Sequence, residues 1–572
     1  MQQRPRRLPS RLVDAGIVLA ISVFAAFLSG SRAWAGFNSP DSEFYASLAL
    51  FGSDVTDRSV DPAYTWTRLG YIAPVRLLVT VLGPWAGFAA WRFVLIVIIV
   101  ASLYAIVRMT STRELAVMVA AVAALNTMVL SYVGNPYLTG SILAALTLLL
   151  ALGVWGSLAG PERDWLPSAL SGAVGGWLVM LNPYALLLGL TMWIALREVG
   201  LFTGSANRWR MLVRDTSAAA VGFAVAFVAF LAAGLVIFPG RNWIQTYLTW
   251  NSQLDYASFV GDPDVWQRDV ALLVPVGALL ITIIAVVATR ARATAMAGLA
   301  VAAANIAFTW VYLLIVPGPW LEAPHYVAKL WAGALVAVAL AFAAILDRRR
   351  LGWPGWVTAA AALPLVLWAG RWETTITTAQ GLLVLAAVLV AVAAAALLQR
   401  RGPAVLGAVV LVAALGGTAV AAQVLQNGRG WLGIYGQYPF RAAYVDFSGE
   451  QIMQAKITAE EWVLAHTSAT DTVGIWTDPE RMMSSVAAMQ LWGKYNNVSG
   501  GPALTRDEAK QLDETRPTAI AMYAPTREQV DAFWASIPPN ARPSEPACTT
   551  VAYPGIGVPA AYVCVTNLRW VG

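Results

Sequence analysis

Residues 88–107 read FAAWRFVLIVIIVASLYAIV, an apolar run whose one charged residue is Arg92. An α-helix of this length crosses the roughly 30 Å hydrocarbon layer of a bilayer. Similar runs recur along most of the chain, and 58 % of its 572 residues are hydrophobic while only 12 % are charged. Soluble domains carry about 25 % charged residues. The sequence therefore predicts a polytopic α-helical membrane protein and excludes a soluble enzyme, a disordered chain and a fibrous protein.

About thirteen apolar segments, each near the roughly 20 residues of a membrane span, precede the C-terminal part of the chain. They lie at approximately 12–30, 88–107, 115–132, 139–157, 168–181, 184–197, 216–238, 270–289, 296–316, 326–346, 354–370, 380–398 and 404–425. The fifth and sixth segments are short and are divided by a turn at Asn182-Pro183-Tyr184. They are therefore either two short spans or one kinked segment.

The arginines predict an orientation, because they cluster at the N-terminus and in alternate loops between the apolar segments. Arginine-rich loops stay in the cytoplasm. With an odd number of crossings, the N-terminus is then cytoplasmic and the C-terminal region extracytoplasmic. We expect the protein in the cytoplasmic (inner) membrane, in contact with membrane lipids. The net charge of +6 is on this interpretation a topology signal, and no nucleic-acid partner is expected.

The composition changes near residue 427, where polar residues, Pro and Gly return. Strands are predicted near 472–477, 517–523, 548–553 and 560–565, and helices near 450–466, 479–492 and 526–536. This alternation predicts a membrane domain over 1–426 and an extracytoplasmic α/β domain over 427–572. Cys548 and Cys564 are the two cysteines of the chain. They could be core thiols, but an extracytoplasmic location favours a disulfide between them.

Three predicted outward loops, at 31–87, 239–269 and 317–329, are long enough to converge on one extracytoplasmic cavity. The first contains Asn38-Ser39-Pro40-Asp41-Ser42-Glu43-Phe44-Tyr45. Two interpretations of Asp41 stay open from the sequence. It could cap an interfacial helix, or it could be a general base that takes the proton of an attacking hydroxyl.

The order of these parts resembles the GT-C superfamily of integral membrane glycosyltransferases. Asp41-Ser42-Glu43 is similar to the acidic D-x-E motif of that family, and Phe44-Tyr45 to its aromatic continuation. Leu181-Asn182-Pro183-Tyr184 is similar to a polar-Pro turn between two short spans of many bacterial members. His325-Tyr326 resembles the family's basic residue and tyrosine at the start of a span.

The resemblance implies an inverting transfer of a sugar from a polyprenyl-phosphate donor to a hydroxyl of a glycan, lipid or protein, on the outer membrane face. It implies that Asp41 is the catalytic base and that Glu43 supports it or contacts a sugar hydroxyl. Cations must hold the departing phosphate. The candidates are His325, Lys329, Arg58 and Arg68, with Arg76 and Arg241 ranked lower. The alternative for these cations is anchoring at lipid headgroups.

Aromatic faces and polar side chains suit sugar rings and their hydroxyls. The sugar- or acceptor-binding candidates are Tyr45, Tyr64, Asn251, Asp255 and Tyr256. We expect no required metal cofactor, although Asp41, Glu43 and Asp255 could offer oxygen ligands to a divalent cation. Two other functions stay open, an inactive GT-C-like scaffold whose C-terminal domain binds an envelope partner, and a lipid or glycolipid transporter. A transporter would place charges within its spans, and the segments here carry few.

Overall fold

The structure is a computed structural model, and it shows a helical membrane part followed by a C-terminal part built on a mixed sheet. It describes residues 8–28, 40–59, 64–134, 137–158, 165–197, 208–253, 272–315, 324–346, 378–398, 449–477, 497–499, 503–552 and 561–571. The predicted spans 354–370 and 404–425 and the predicted helix 479–492 lie outside these residues. The predictions for those three segments are therefore not addressed by the structure.

The membrane part is built of helices. They are α1 (Leu8–Leu28), α2 (Pro40–Phe51), α3 (Ser53–Thr56), α4 (Leu69–Leu82), α5 (Pro84–Thr110), α6 (Arg113–Leu125), α7 (Thr127–Gly134), α8 (Leu138–Leu158), α9 (Trp165–Leu181), α10 (Pro183–Ala195), α11 (Arg208–Ile237), α12 (Trp243–Gln253), α13 (Leu273–Ala288), α14 (Ala293–Ile315), α15 (Pro324–Leu346) and α16 (Thr378–Leu398). A 3₁₀ turn, Tyr64–Thr67, precedes α4.

Among these helices, α5, α8, α11, α14 and α15 are long and apolar enough to cross a membrane. The pair α6 and α7 adds a sixth candidate if it is one broken span, because the two helices meet at an angle of 60°. Shorter apolar helices are α4, α9, α10, α13 and α16. The chain is thus a multi-pass membrane protein, and the total of thirteen crossings stays a prediction.

Two asparagines divide the apolar helices. Asn182 accepts a hydrogen bond from the backbone N–H of Tyr184 at 3.0 Å and so caps α10, with Pro183 as its first residue. Asn126 accepts from the backbone N–H of Met128 at 3.0 Å and starts α7 in the same way. Such caps satisfy N–H groups that a helix start leaves without partners. The fifth and sixth predicted segments are therefore two separate helices, α9 and α10.

Glycines bring α9 and α11 into close contact. A Cβ at Gly172 would collide with the backbone of Ala219, and a Cβ at Gly222 would collide with the backbone of Ala169. Reciprocal glycines of this kind let two helix backbones approach closely, as they do in membrane interiors. The pair α9–α11 is therefore held by backbone-level packing that tolerates no added side chain.

Helix α4 lies within the large first loop predicted over 31–87, where no membrane span was predicted. Its 14 residues are apolar, and its buried residues include Leu69, Ile72 and Val75. The segment contains Pro74 and Arg76 and is shorter than a full span, so its apolar pattern did not qualify as one. α4 packs against α2.

The C-terminal part is a five-stranded mixed sheet with helices. Its strands are β1 (Val473–Thr477), β2 (Asn497–Ser499), β3 (Ala519–Ala524), β4 (Ala547–Val551) and β5 (Ala561–Asn567), in the order β2-β1-β3-β5-β4. β1 pairs in parallel with β2 and β3, while β5 runs antiparallel to β3 and β4. The helices are α17 (Gly449–Ala465), α18 (Arg506–Thr515) and α19 (Arg527–Ser536).

The two faces of the sheet are packed differently. α17 contacts β4 and β5, while Phe533 of α19 stacks on Trp476 of β1 with ring centroids 4.4 Å apart. Cys548 and Cys564 are opposite residues of β4 and β5 and form a disulfide, with their Cα atoms 4.0 Å apart. The bond joins β5 to the edge strand β4.

Candidate functional site

The first turn of α2 carries both predicted carboxylates. α2 begins at Pro40, whose fixed φ suits a first helical position, and Asp41 and Glu43 are its second and fourth residues. The exposed N–H groups of a helix start stabilise a nearby negative charge. For both acidic residues the structure describes the backbone only. The role of Asp41 as a base therefore stays a prediction, now attached to a helix N-terminus.

The other face of α2 is buried and aromatic. The ring of Tyr45 is fully buried and lies edge-on to Tyr71 and Tyr137, with centroid distances of 6.2 Å and 5.4 Å. Edge-to-face contacts of this kind fix the rings relative to one another. Tyr45, which we predicted to contact sugar, thus packs α2 against α4 and the start of α8.

The C-terminal end of α2 is held by Arg76 of α4. The Nη1 atom of Arg76 donates to the carbonyl oxygens of Ala49 and Leu50, at 3.3 Å and 3.0 Å. These carbonyls belong to the last turn of the helix, where partners are otherwise missing. The next residue, Gly52, has φ +61°, and a Cβ there would lie 3.1 Å from the guanidinium of Arg76. Arg76 is therefore a cap for α2.

Arg68 lies at the entrance to α4, beside an aromatic group from the second outward loop. Its guanidinium carbon is 6.0 Å from the ring centroid of Tyr247. Tyr247 is stacked on Trp243 at 5.2 Å, and Trp243 Nε1 donates to the carbonyl of Thr67 at 2.6 Å. A cation over an aromatic face is stabilised by the ring quadrupole. α12 thereby fixes the position of Arg68.

Lys329 brings a second positive charge to this place. It lies in α15, where it is 8 % exposed, and the positive charge of Arg68 acts on it. Like charges repel more strongly in a low-dielectric interior than in water. The positive charges of Arg68 and Lys329 would each attract an anion that lies between them. We call this place the cation pair.

Three further predicted residues lie near the cation pair along the chain. His325 precedes Lys329 by four residues in α15, and Asn251 follows Tyr247 by four residues in α12. Residues four apart share a helix face. Tyr64 opens the 3₁₀ turn that leads to Arg68. The side chains of these three residues, and all of Asp255 and Tyr256, lie outside what the structure describes.

Arg58 and Arg241, two other cations predicted as phosphate ligands, contact protein groups away from the cation pair. The side chain of Arg58 donates to Thr467, next to α17, and to the backbone carbonyl of Asp54. Arg241 donates to the carbonyl of Thr56 at 2.8 Å and to the carboxylate of Asp57 at 3.0 Å. In this structure Arg58 thus contacts the C-terminal part and Arg241 contacts the first loop, and their predicted phosphate roles stay untested.

An apolar cavity of about 180 Å³ lies between the membrane helices. Its walls come from α5, α6, α13, α15 and α16, and they include Leu103, Leu273, Phe342 and Leu385. Trp331, two residues after Lys329 in α15, also lines it. α15 therefore links the cation pair to an apolar space inside the membrane part.

Comparisons with known proteins used both sequence and structure. No family model and no curated protein matches the chain. The fold is similar to ArnT from Cupriavidus metallidurans bound to undecaprenyl phosphate, with 15 % identity, a TM-score of 0.46 and 98 % of both chains covered. The structural neighbours are GT-C glycosyltransferases.

Two further neighbours are larger proteins. The oligosaccharyltransferase of Archaeoglobus fulgidus is 10 % identical, with a TM-score of 0.46, over 89 % of this chain and 69 % of that one. The mycobacterial arabinofuranosyltransferase AftD is 16 % identical, with a TM-score of 0.45, over 97 % of this chain and 40 % of that one. The present chain thus spans less than half the length of AftD.

The sequence did not indicate every residue of the site. Trp243 positions Arg68 through Thr67, and Thr467 receives Arg58, yet neither was among the predicted site residues. Their partners are 176 and 409 positions away, so no local pattern could reveal the contacts. In the part of the chain that the structure describes, no three His, Cys, Asp or Glu side chains are grouped as metal ligands.

Proposed function

We propose that the protein transfers a sugar from a polyprenyl-phosphate donor to a hydroxyl acceptor at the outer face of the cytoplasmic membrane. The observation that carries the proposal is the cation pair of Arg68 and Lys329. It lies at the meeting point of the first outward loop, α12 and α15. The acceptor belongs to a cell-envelope glycan, lipid or protein, and the reaction as proposed requires no metal.

The surroundings of the cation pair suit an amphiphilic donor. A lipid phosphate presents a charged head and a long apolar chain. Arg68 and Lys329 offer positive charge to the head, and the cavity lined by Trp331 offers apolar space on the same helix as Lys329. The guanidinium can contact two phosphate oxygens at once, and the ammonium acts as a point charge. Together they would stabilise the negative charge that grows on the departing phosphate.

In the proposed reaction, Asp41 accepts the proton of the acceptor hydroxyl. The acceptor oxygen attacks the anomeric carbon of the sugar and forms the new glycosidic bond. The bond from that carbon to the phosphate oxygen breaks, and the polyprenyl phosphate leaves with the electron pair. The Asp41 carboxylate accepts the proton of the attacking hydroxyl. Attack opposite the leaving group inverts the anomeric configuration, and Glu43 would hydrogen-bond a sugar hydroxyl.

A transfer assay tests the proposal. Purified protein in vesicles would be offered a panel of radiolabelled polyprenyl-phosphate sugars, with extracted envelope glycans and lipids as acceptors. We expect one donor to be consumed, also with EDTA present. The Asp41→Asn variant should transfer at least about a hundredfold more slowly, as expected when a positioned base is lost.

Asp507→Asn is the matched control for this variant. Asp507 is the second residue of α18, as Asp41 is of α2, and it is exposed. Both substitutions therefore remove a carboxylate from a helix N-terminus, but only one affects the proposed base. If Asp41→Asn transfers as fast as Asp507→Asn, Asp41 is a helix cap and no base. If no donor is consumed by the wild type, the scaffold and transporter functions replace the proposal.

A further inference from the structure

The first outward loop and the C-terminal part meet at Arg58. Its Nε donates to Thr467 Oγ1 at 3.0 Å and its Nη2 to the carbonyl of Thr467 at 3.2 Å. Its Nη1 donates to the carbonyl of Asp54 at 2.8 Å. The residue is 7 % exposed. All three guanidinium nitrogens are thus used between the loop and Thr467, two residues after α17, and a buried charge so bonded holds its geometry firmly.

The backbones are joined at the same place. The N–H of Val473, the first residue of β1, donates to the carbonyl of Arg58 at 2.7 Å. Ser59 and Val473 form a parallel β-bridge. The first loop therefore adds a short strand-like contact to the start of the central sheet. We call the contacts of Arg58 and Ser59 with Thr467 and Val473 the Arg58 junction.

Two titratable side chains of α17 are buried near the junction. Lys456 and Glu460 of α17 are 1 % and 0 % exposed. Burial raises the pKa of Glu460 well above its ordinary value, and the positive charge of Arg58 acts in the opposite direction. Loss of Arg58 would remove three hydrogen bonds from this buried place. The junction is thus sensitive to the single residue Arg58.

The junction is rigidly connected to the helix that carries Asp41. One residue, Gly52, separates α2 from α3, and Arg58 follows α3 by two positions. Arg76 caps the last turn of α2 from α4. Arg241 binds Thr56 and Asp57 from the second outward loop. The segment between α2 and Arg58 is therefore held by three parts of the chain, and one of them is the C-terminal part.

We infer that the C-terminal domain sets the position of α2 through the Arg58 junction, so that Arg58 is a positioning residue for sugar transfer. The inference rests on the proposed function for its kinetic consequence. It assigns the C-terminal domain a part in the reaction without any contact to substrate. A misplacement of about 1 Å at a reacting group can lower the rate on the order of a hundredfold.

Paired variants distinguish positioning from phosphate binding. Arg58→Met removes the charge and the donors. Thr467→Val keeps the side-chain shape but removes the hydroxyl, which accepts from Arg58 and donates to the carbonyl of Val463. We expect kcat to fall about tenfold or more in both, with donor KM within about twofold of wild type. The double variant should be no slower than the slower single variant, because both break the same contact. Glu514→Gln, exposed on α18, is the control in the same domain.

Two kinetic outcomes would overturn the inference. One is a raised donor KM in Arg58→Met together with wild-type kinetics in Thr467→Val, which would make Arg58 a donor ligand. The other is unchanged kcat in both folded variants. If Arg58→Met does not fold, Thr467→Val decides alone, since it keeps the buried charge of Arg58 in place.

Hydrogen exchange tests the same inference without any activity. In the full-length protein, we expect the backbone amides of α2 to exchange about tenfold faster in Thr467→Val and Arg58→Met, with α18 and α19 unchanged. Unchanged exchange in α2 would contradict the inference. If the wild type transfers no sugar, the proposed function fails, and the exchange result still decides whether the C-terminal domain holds α2.

Discussion

At the level of single residues, Glu460 is a carboxyl group whose buried environment disfavours its charged form. It is completely buried in α17, and no hydrogen bond to its carboxyl oxygens is found among the residues that the structure describes. Burial raises its pKa well above the ordinary 4.5, although Arg58 partly offsets this. The folded protein therefore keeps a proton on Glu460 at pH values where the unfolded chain has lost it.

The sign of the pH dependence follows from linkage. The folded state binds more protons than the unfolded state between the ordinary and the raised pKa, so the stability falls as the pH rises through this range. Glu460→Gln removes the titrating group and keeps the shape. We expect a higher thermal midpoint than wild type at about pH 8, with the difference shrinking towards about pH 4. Intrinsic fluorescence of the full chain during heating in detergent measures it.

Exposed Glu514→Gln is the control, since this residue is 66 % exposed in its side chain. It should follow the wild type at every pH. Midpoints of Glu460→Gln that run parallel to the wild type from acid to alkaline pH would show that Glu460 ionises in the folded protein as freely as in the unfolded one.

The sequence can indicate which residue types suit a given ligand. A phosphate needs cations, and Arg68 and Lys329 were predicted to bind it for that reason; their role stays a prediction. Arg58 and Arg76 have the same chemistry but contact Thr467 and the end of α2. Sequence alone cannot separate a ligand from a cap, because partners distant along the chain decide between them.

Among the helices, the crossing of α9 and α11 depends most directly on side-chain size. Gly172 and Gly222 each face the other helix's backbone without room for a Cβ. We expect Gly172→Ala to separate the two helices and to destabilise the protein by about 1–3 kcal/mol, the usual cost of overpacking. A lower thermal midpoint in detergent would report it.

Gly16→Ala in α1 is the matched control for this substitution. It also replaces a glycine in an apolar helix, but no atom lies within 4 Å of the added Cβ. Alanine favours the helix over glycine by up to about 1 kcal/mol, so Gly16→Ala should leave the midpoint unchanged or raise it. Equal midpoints for the two variants would refute the close crossing.

The elements of the C-terminal part were predicted unevenly, and helix α18 was not predicted although a capping box of Thr505 and Glu508 marks its start. The predicted helix 450–466 corresponds to α17, and the predicted strand 472–477 to β1. The three residues of β2 were missed, because such a short strand is defined by pairing with β1. α4 was missed because its apolar run stops short of a membrane span.

For the molecule as a whole, the arginine-rich helix ends form ion pairs on what we predict to be the cytoplasmic side. Asp14 of α1 pairs with Arg113 at 2.7 Å, and Asp215 of α11 pairs with Arg197 at 2.7 Å. The Arg197–Asp215 pair is buried and the Arg113–Asp14 pair is partly exposed. Such short Arg–carboxylate contacts hold the helix ends relative to one another. The arginines thus tie the bundle together in addition to indicating its orientation.

Cysteine labelling tests the orientation. Both natural cysteines are in the disulfide, so an introduced cysteine reports its own position. In intact cells whose envelope admits the reagent to the membrane surface, a membrane-impermeant maleimide should label Lys510→Cys in α18 and spare Arg292→Cys between α13 and α14. Both sites are exposed, and permeabilisation should make Arg292→Cys reactive. The reverse pattern would place the C-terminal domain in the cytoplasm and exclude the proposed outward site.

Binding of a lipid phosphate to the cation pair is the claim on which the account depends most. The direct measurement is saturable binding of radiolabelled undecaprenyl phosphate to the full-length protein in nanodiscs. We predict that Lys329→Gln weakens binding about tenfold or more, as expected for loss of a desolvated charge contact, while Lys510→Gln binds like the wild type. Wild-type protein that binds no lipid phosphate, or Lys329→Gln that binds it equally well, would contradict the account.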